Sequence, residues 1–177
     1  MKSLMVTFLL FGSLGCTPSK SKDTAAVNGG PFDEVAAQGL TDYLGTASPT
    51  SVTEGEDSTT HHFDPEDGPM CFRGAPFSVS TRPGEGDELI VFLQGGGACW
   101  SGMCNAFEDV LGFVPEVGIL NRGLASNPVA GWNVGYVPYC DGSLFTGDAE
   151  IDDDGDGVID RHHRGLQNLS AALDVFR

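Results

Sequence analysis

Apolar residues are spread unevenly along this chain. An early run, Leu4-Met5-Val6-Thr7-Phe8-Leu9-Leu10-Phe11, is followed by a long stretch of Ser, Thr, Ala, Gly and acidic residues from Thr17 to about Asp67. Within it only Phe32, Val35, Ala36 and Leu40 show a weak helical period, which predicts a short helix between Phe32 and Leu44. Regular patterning begins near Gly68. Phe77, Val79 and Thr81 alternate with Ser78, Ser80 and Arg82, the period of a half-buried strand. Leu89-Ile90-Val91-Phe92-Leu93 is a continuous apolar run, which predicts a strand buried on both faces in a parallel or mixed sheet. The turn residues Pro83-Gly84-Glu85-Gly86-Asp87 lie between these two strands and predict that they pair as a hairpin. Asn105 to Phe113 places Phe107, Val110 and Leu111 at helical spacing, with Asn105 and Glu108 set as a capping box. Trp132 to Cys140 reads as another strand. Leu166, Leu169, Leu173 and Phe176 mark one face of an amphipathic helix over 164–177 that needs a sheet to cover.

Composition narrows the class. The chain has 177 residues and 25 glycines, the size of one loop-rich globular domain. A net charge of −16 argues against a nucleic-acid partner, since phosphate binding needs a basic surface. The amino-terminal run is too short to span a bilayer and follows Lys2, so residues 1–16 read as an export signal. Gly12-Ser13-Leu14-Gly15-Cys16 resembles a bacterial lipoprotein cleavage site, with Cys16 the lipidated residue, although Ser13 holds the place where leucine is usual. Export permits disulfides. With Cys16 set aside, Cys71, Cys99, Cys104 and Cys140 remain, and sequence alone leaves all their pairings open. His61-His62 and His162-His163 have no zinc-site spacing to any cysteine pair. The first pair reads as solvated linker.

Three stretches carry candidate chemistry. Gly95-Gly96-Gly97 follows the apolar run directly, so backbone N–H groups are left uncovered at a strand end. Asp141 to Asp148 is a glycine-bearing polar loop after the Tyr139 strand, where ligands of α/β sheets sit. Within it Ser143 lies beside Asp141, but only His162 and His163 stand as partners for a nucleophile, at no recognisable spacing. Asp152, Asp154, Asp156 and Asp160 occupy positions 1, 3, 5 and 9 of a calcium loop, with Gly157 at 6 and Ile159 at 8 able to pack inward. His163 holds position 12, where a bidentate Glu is expected, so the set is incomplete. Magnesium fits less well, because a dedicated all-protein cage is not its habit.

Taken together, Cys71-Phe72-Arg73-Gly74-Ala75-Pro76-Phe77, Gln94-Gly95-Gly96-Gly97-Ala98-Cys99, Cys104, Trp132-Asn133, Tyr139-Cys140-Asp141-Gly142-Ser143-Leu144-Phe145-Thr146-Gly147-Asp148 and Arg164-Gly165 resemble the pectin acetylesterase/Notum family of α/β-hydrolase carboxylesterases. The resemblance covers roughly Cys71 to Arg177. It implies a Ser-His-Asp mechanism on O-acyl esters, with the N–H groups of Gly96 and Gly97 holding the tetrahedral oxyanion and no cofactor for catalysis. It also implies disulfides Cys99–Cys104 and Cys71–Cys140. Family members often carry an aromatic residue where Gly97 and Ala98 stand here. The 152–160 loop looks like an insertion. No Gly-x-Ser-x-Gly elbow occurs in the chain, and the family places it on the strand after the helix at 164–177.

The expected organisation is a signal over 1–16, a flexible acidic tether over 17–67 and an incomplete α/β-hydrolase domain over 68–177. The expected fold class is α/β, the amino-terminal half of a hydrolase sheet with about three or four strands and flanking helices. The leading functional reading is a fragment of a secreted or lipid-anchored serine carboxylesterase acting on acylated polysaccharide or another O-acyl ester. Its alternatives are a non-catalytic calcium-binding surface lipoprotein, and a truncated product without activity.

Overall fold

The computed structural model of the protein describes residues 33–100 and 103–177. The predicted signal, Cys16 and the first part of the tether lie outside the described residues. The elements are a short helix α1 (Asp33–Ala37), strands β1 (Ser51–Glu54), β2 (Thr59–His62), β3 (Ser78–Arg82), β4 (Leu89–Leu93), β5 (Gly97–Trp100), β6 (Met103–Ala106), β7 (Asn133–Val137), β8 (Ala149–Ile151) and β9 (Arg161–His163), and the helix α2 (Gly165–Phe176). Five strands form one mixed sheet in the order β1-β2-β3-β7-β4, and β5-β6 and β8-β9 are separate two-stranded ribbons. β4 runs parallel to β7, whereas the other neighbours in the large sheet are antiparallel. The fold is thus of mixed α/β type with little helix.

β7 is the centre of the sheet. It carries Val134, Tyr136 and Val137, all buried, and Gly135 between them. Gly135 is required by packing: a Cβ there would lie 2.7 Å from the Phe176 ring of α2. Val137 and Val79 face α2 with Phe63, Phe77, Ala171 and Ala172. Val134 and Tyr136 face the opposite side with Val114 and Leu120, joined by the half-buried Ile90 and Phe92. Each large apolar side chain buried in this way contributes about 2 kcal/mol.

The predicted β3–β4 hairpin does not form, because β7 lies between the two strands. Asn133 explains this. Its Oδ1 accepts from Gly84 N–H at 2.8 Å, and its Nδ2 donates to the carbonyls of Gly86 and Glu88 at 2.7 and 3.0 Å. Residues 83–88 therefore arch over the start of β7 and deliver β4 to its far side. β3 is not half-buried either. Its polar residues Ser78, Ser80 and Arg82 are as enclosed as Val79, under the segment that leads to Leu120. Two of them find partners there: Ser80 Oγ meets Thr60 Oγ1 at 2.9 Å, Thr60 Oγ1 donates to the Gly112 carbonyl at 2.7 Å, and Arg82 pairs with Glu116 and reaches the Leu120 carbonyl at 2.5 Å, while its Nε is left buried without a partner.

Three further expectations are corrected. The predicted tether is folded in its second half. β1 and β2 extend the sheet, Phe63 is 2 % exposed, and Tyr43 Oη donates to Asp148 at 2.6 Å. His61 and His62 are strand residues, with ring nitrogens 3.3 Å from Thr81 Oγ1 and 2.9 Å from Thr53 Oγ1, and burial pulls the His61 pKa down. The predicted helix over 105–113 is replaced by β6 and irregular chain, because Cys104 is held across from Cys99 in an extended ribbon. Helix α2 does form, but it buries Gln167, Asn168, Ser170, Ala171 and Ala172, while Leu173 is exposed and Leu166 and Leu169 are half-exposed. Asn168 decides this face: its Oδ1 accepts from Met70 N–H at 3.0 Å and its Nδ2 donates to the Met70 carbonyl at 2.9 Å. Small residues on that side let the helix lie close to the sheet.

Candidate functional site

Two loops meet at the carboxyl ends of the parallel pair β4 and β7. The first is Gln94–Gly96, leading into β5. Gln94 extends the parallel ladder, its N–H donating to the Val137 carbonyl at 2.9 Å. Gly95 is exposed, with open space where a Cβ would stand. Gly96 is half-exposed and lies against the Phe107 ring, which a Cβ would approach to 2.5 Å. Gly97 is exposed and left-handed at φ 88°, a conformation glycine adopts without strain. Among the described residues, no loop hydrogen bond uses the N–H of Gly95 or Gly96. The structure therefore presents bare amides at the end of β4.

The second loop is 141–148. Asp141 is 1 % exposed. Burial raises its pKa, opposed by the Ser143 hydroxyl, the N–H groups of Ser143 and Gly165, and the nearby His163. Ser143 Oγ donates to the Asp141 carboxylate and accepts from Gly147 N–H at 2.9 Å. Leu166 N–H donates to the Gly147 carbonyl at 3.0 Å. The loop thus supplies the partners that the first turn of α2 lacks, since no side chain caps that helix from Arg164. Ser143 is a structural brace here. The nearest histidine interaction is His163 Nδ1 with the Asp141 backbone carbonyl at 2.7 Å, and no histidine nitrogen is bonded to Ser143 Oγ. Neither His162 nor His163 activates it. His162 faces Glu150 at 3.4 Å instead.

The two loops are cross-braced. Tyr139 N–H donates to Gln94 Oε1 at 3.1 Å, Cys99 N–H donates to the Gly142 carbonyl at 2.9 Å, and Tyr139 Oη accepts from Leu144 N–H at 2.9 Å. Burial raises the pKa of Tyr139. Leu144 and Phe145 are both left-handed, at φ 58° and 62°, which costs roughly 1–2 kcal/mol for each such residue. Sequence reasoning singled out this loop by its glycines but found neither the buried carboxylate nor the strained pair. Nothing local in Leu-Phe signals a left-handed backbone.

Disulfides Cys71–Cys140 and Cys99–Cys104 are present, with Cα separations of 4.9 and 4.0 Å. The first joins the segment before β3 to the end of β7. The second closes the β5–β6 ribbon beside the glycine loop.

The acidic loop 152–160 is the tip of the β8–β9 ribbon. Asp152, Asp154 and Asp156 bring ligand oxygens within 4.8 Å of one another. Their carboxylates also order the loop, Asp152 accepting from the N–H groups of Gly155 and Gly157 at 2.7 and 2.9 Å, which lower its pKa. Asp160 does not join them: its Oδ2 accepts from Asp153 N–H at 2.7 Å. Ile159 does not pack inward and is 37 % exposed. Position 12 is withdrawn as well, because His163 belongs to β9 and pairs with Ala149.

No family model matches the sequence, and no solved structure matches the fold. Among the described residues, no helix is long and apolar enough to cross a membrane.

Proposed function

We propose that this chain is the amino-terminal part of an exported serine carboxylesterase resembling the pectin acetylesterase/Notum family, acting on O-acyl esters. The observation that carries the reading is the glycine loop at the carboxyl end of β4, where amides without an internal partner stand exposed beside a second, rigidly held loop. In that role the N–H groups at Gly96 and Gly97 stabilise the negative oxygen that develops when an ester carbonyl becomes tetrahedral. The parallel pair β4 and β7 belongs to a hydrolase-type sheet, and the nucleophile comes from a strand that pairs with the open side of β4. The acyl substrate is an acylated polysaccharide or a smaller ester, and lipid on Cys16 attaches the protein to the cell envelope. The test is to extend the reading frame past Arg177 and assay the longer polypeptide with p-nitrophenyl acetate. Turnover that falls about a hundredfold in a Gly96→Pro variant, which removes one amide donor at a glycine whose backbone is not left-handed, supports the proposal. Absence of a downstream serine elbow, or no hydrolysis, sinks it.

A second reading is favoured by one observation, the convergence of Asp152, Asp154 and Asp156. Three hard carboxylate donors on a loop turned by Gly155 and Gly157 suit calcium, which takes oxygen ligands in flexible geometry. When bound, the ion would supply charge neutralisation and loop order. Calorimetry with calcium should give binding heat for the unaltered chain and none for a double Asp154→Ala, Asp156→Ala variant. Equal heats for the two proteins remove the calcium site.

A further inference from the structure

We infer that the cavity between residues 45–49 and the last turn of α2 is a binding site for a small organic cation, an ammonium group on an apolar body, held by the Asp174 carboxylate. The inference does not rest on the esterase reading.

Asp174 stands in the last turn of α2, at the negative end of the helix dipole, where a carboxylate is disfavoured and a cation is welcome. Its side chain is only 10 % exposed. Oδ2 accepts from Gly45 N–H at 2.5 Å, which pins the segment before β1 onto the helix. Oδ1 is buried and, among the described residues, makes no hydrogen bond. The Arg177 guanidinium lies 2.6 Å from Oδ1 but outside hydrogen-bond geometry, and its own side chain is 69 % exposed. Arg177 thus supplies charge without filling the lone pair. A buried carboxylate oxygen left in that state is costly, and a cationic N–H donor answers both its charge and its lone pair.

The surroundings define what such a donor is attached to. Asp174 lines a cavity of about 380 Å³, the size of a small-molecule site. His61 of β2 lines it as well. Its Nε2 lies 3.3 Å from Thr81 Oγ1, and burial pulls its pKa down, so the ring is neutral and keeps an acceptor nitrogen. Ala47, Pro49 and Val175 add apolar wall. One carboxylate and one imidazole are too few for a metal ion, which takes about four ligands or more. They suit the N–H groups of an ammonium whose carbon body rests on the apolar wall. The net charge of −16 draws cations toward the protein and favours the same class of ligand.

The experiment uses the 177-residue chain with butylammonium chloride as the probe and n-butanol as its uncharged counterpart, in about 150 mM salt. The Gly45 amide and the His61 ring resonances are followed by NMR, with the Gly155 and Gly157 amides of the acidic loop as controls for diffuse attraction. Butylammonium is expected to shift Gly45 and His61 saturably while the control amides stay in place. The same concentrations of n-butanol should shift neither. Arg177→Ala removes the competing cation and should tighten butylammonium roughly tenfold. Asp174→Asn keeps an oxygen for Gly45 N–H, removes the charge and should weaken binding roughly tenfold or more. Arg177 is exposed, so its variant tests the site even where the Asp174 variant disturbs the fold. The inference is overturned by the absence of saturable shifts, by equal shifts at the control amides or with n-butanol, or by an Arg177→Ala variant that binds no tighter.

Discussion

The two edges of the large sheet are built on opposite principles. β1 is Ser-Val-Thr-Glu, short, polar, exposed at every residue and closed by a charge at Glu54. β4 is Leu-Ile-Val-Phe-Leu, without a charge or a proline, and its Leu89, Val91 and Leu93 are 42, 39 and 43 % exposed. Because Gln94 N–H and the Glu88 carbonyl bond toward β7, the alternate residues 89, 91 and 93 turn their backbone groups to the open side. Natural sheets blunt exposed edges with charge, short length or cover, and β1 follows that rule. β4 has the composition of an interior strand at an edge position. The contrast places the glycine loop at the end of the strand whose open side is ready to pair, which is what the proposed esterase sheet requires of it.

The largest lever on this contrast is the Cys71–Cys140 bridge, which ties the β1–β3 half to the end of β7 across 69 residues. Replacing both cysteines with alanine should lower unfolding free energy by about 4 kcal/mol in urea titrations. Hydrogen exchange in β2 and β3 should then rise toward that in β4. Unchanged exchange there would mean that the covered half owes its order to packing alone. A smaller effect comes from trading the characters of the edges. Val91→Lys should reduce self-association in sedimentation experiments while changing stability by only about 0.5 kcal/mol, and Glu54→Val should increase association from the β1 side. If Val91→Lys leaves association as it was, the open side of β4 is not the adhesive one.

Much of this molecule was legible in the chain. That β3, β4 and β7 are extended and that α2 is helical was readable, because each is a local period or run that one element satisfies by itself, but the expected burial was not: β3 is enclosed on both faces instead of one, and β4, expected to be buried on both, leaves Leu89, Val91 and Leu93 exposed. So was the glycine loop as a place where the chain turns sharply after a strand, since glycines let the backbone bend there. What escaped reading depended on partners distant in sequence. Asn133 bonds residues 84, 86 and 88 and converts an apparent hairpin turn into an arch. Asn168 holds Met70 and turns α2 away from its leucines. Ser80 and Arg82 look solvent-facing in their own strand but are buried, Ser80 against Thr60, whose hydroxyl bonds the Gly112 carbonyl, and Arg82 against the Glu116 carboxylate and the Leu120 carbonyl. The Ser/Thr-rich stretch over 51–62 has too little apolar surface to fold alone, but sheet pairing supplies its backbone with partners.

By itself, then, the order of residues determined where the chain is extended, where it coils into α2 and where bare amides follow a strand, since backbone sterics and side-chain periodicity act over a few residues. Which strand lies beside which, which face of α2 is covered, and that Leu144 stands outward on a left-handed turn were decided only by the tertiary structure. Those outcomes are set by hydrogen bonds and close packing between segments tens of residues apart, and no local pattern encodes the identity of so distant a partner.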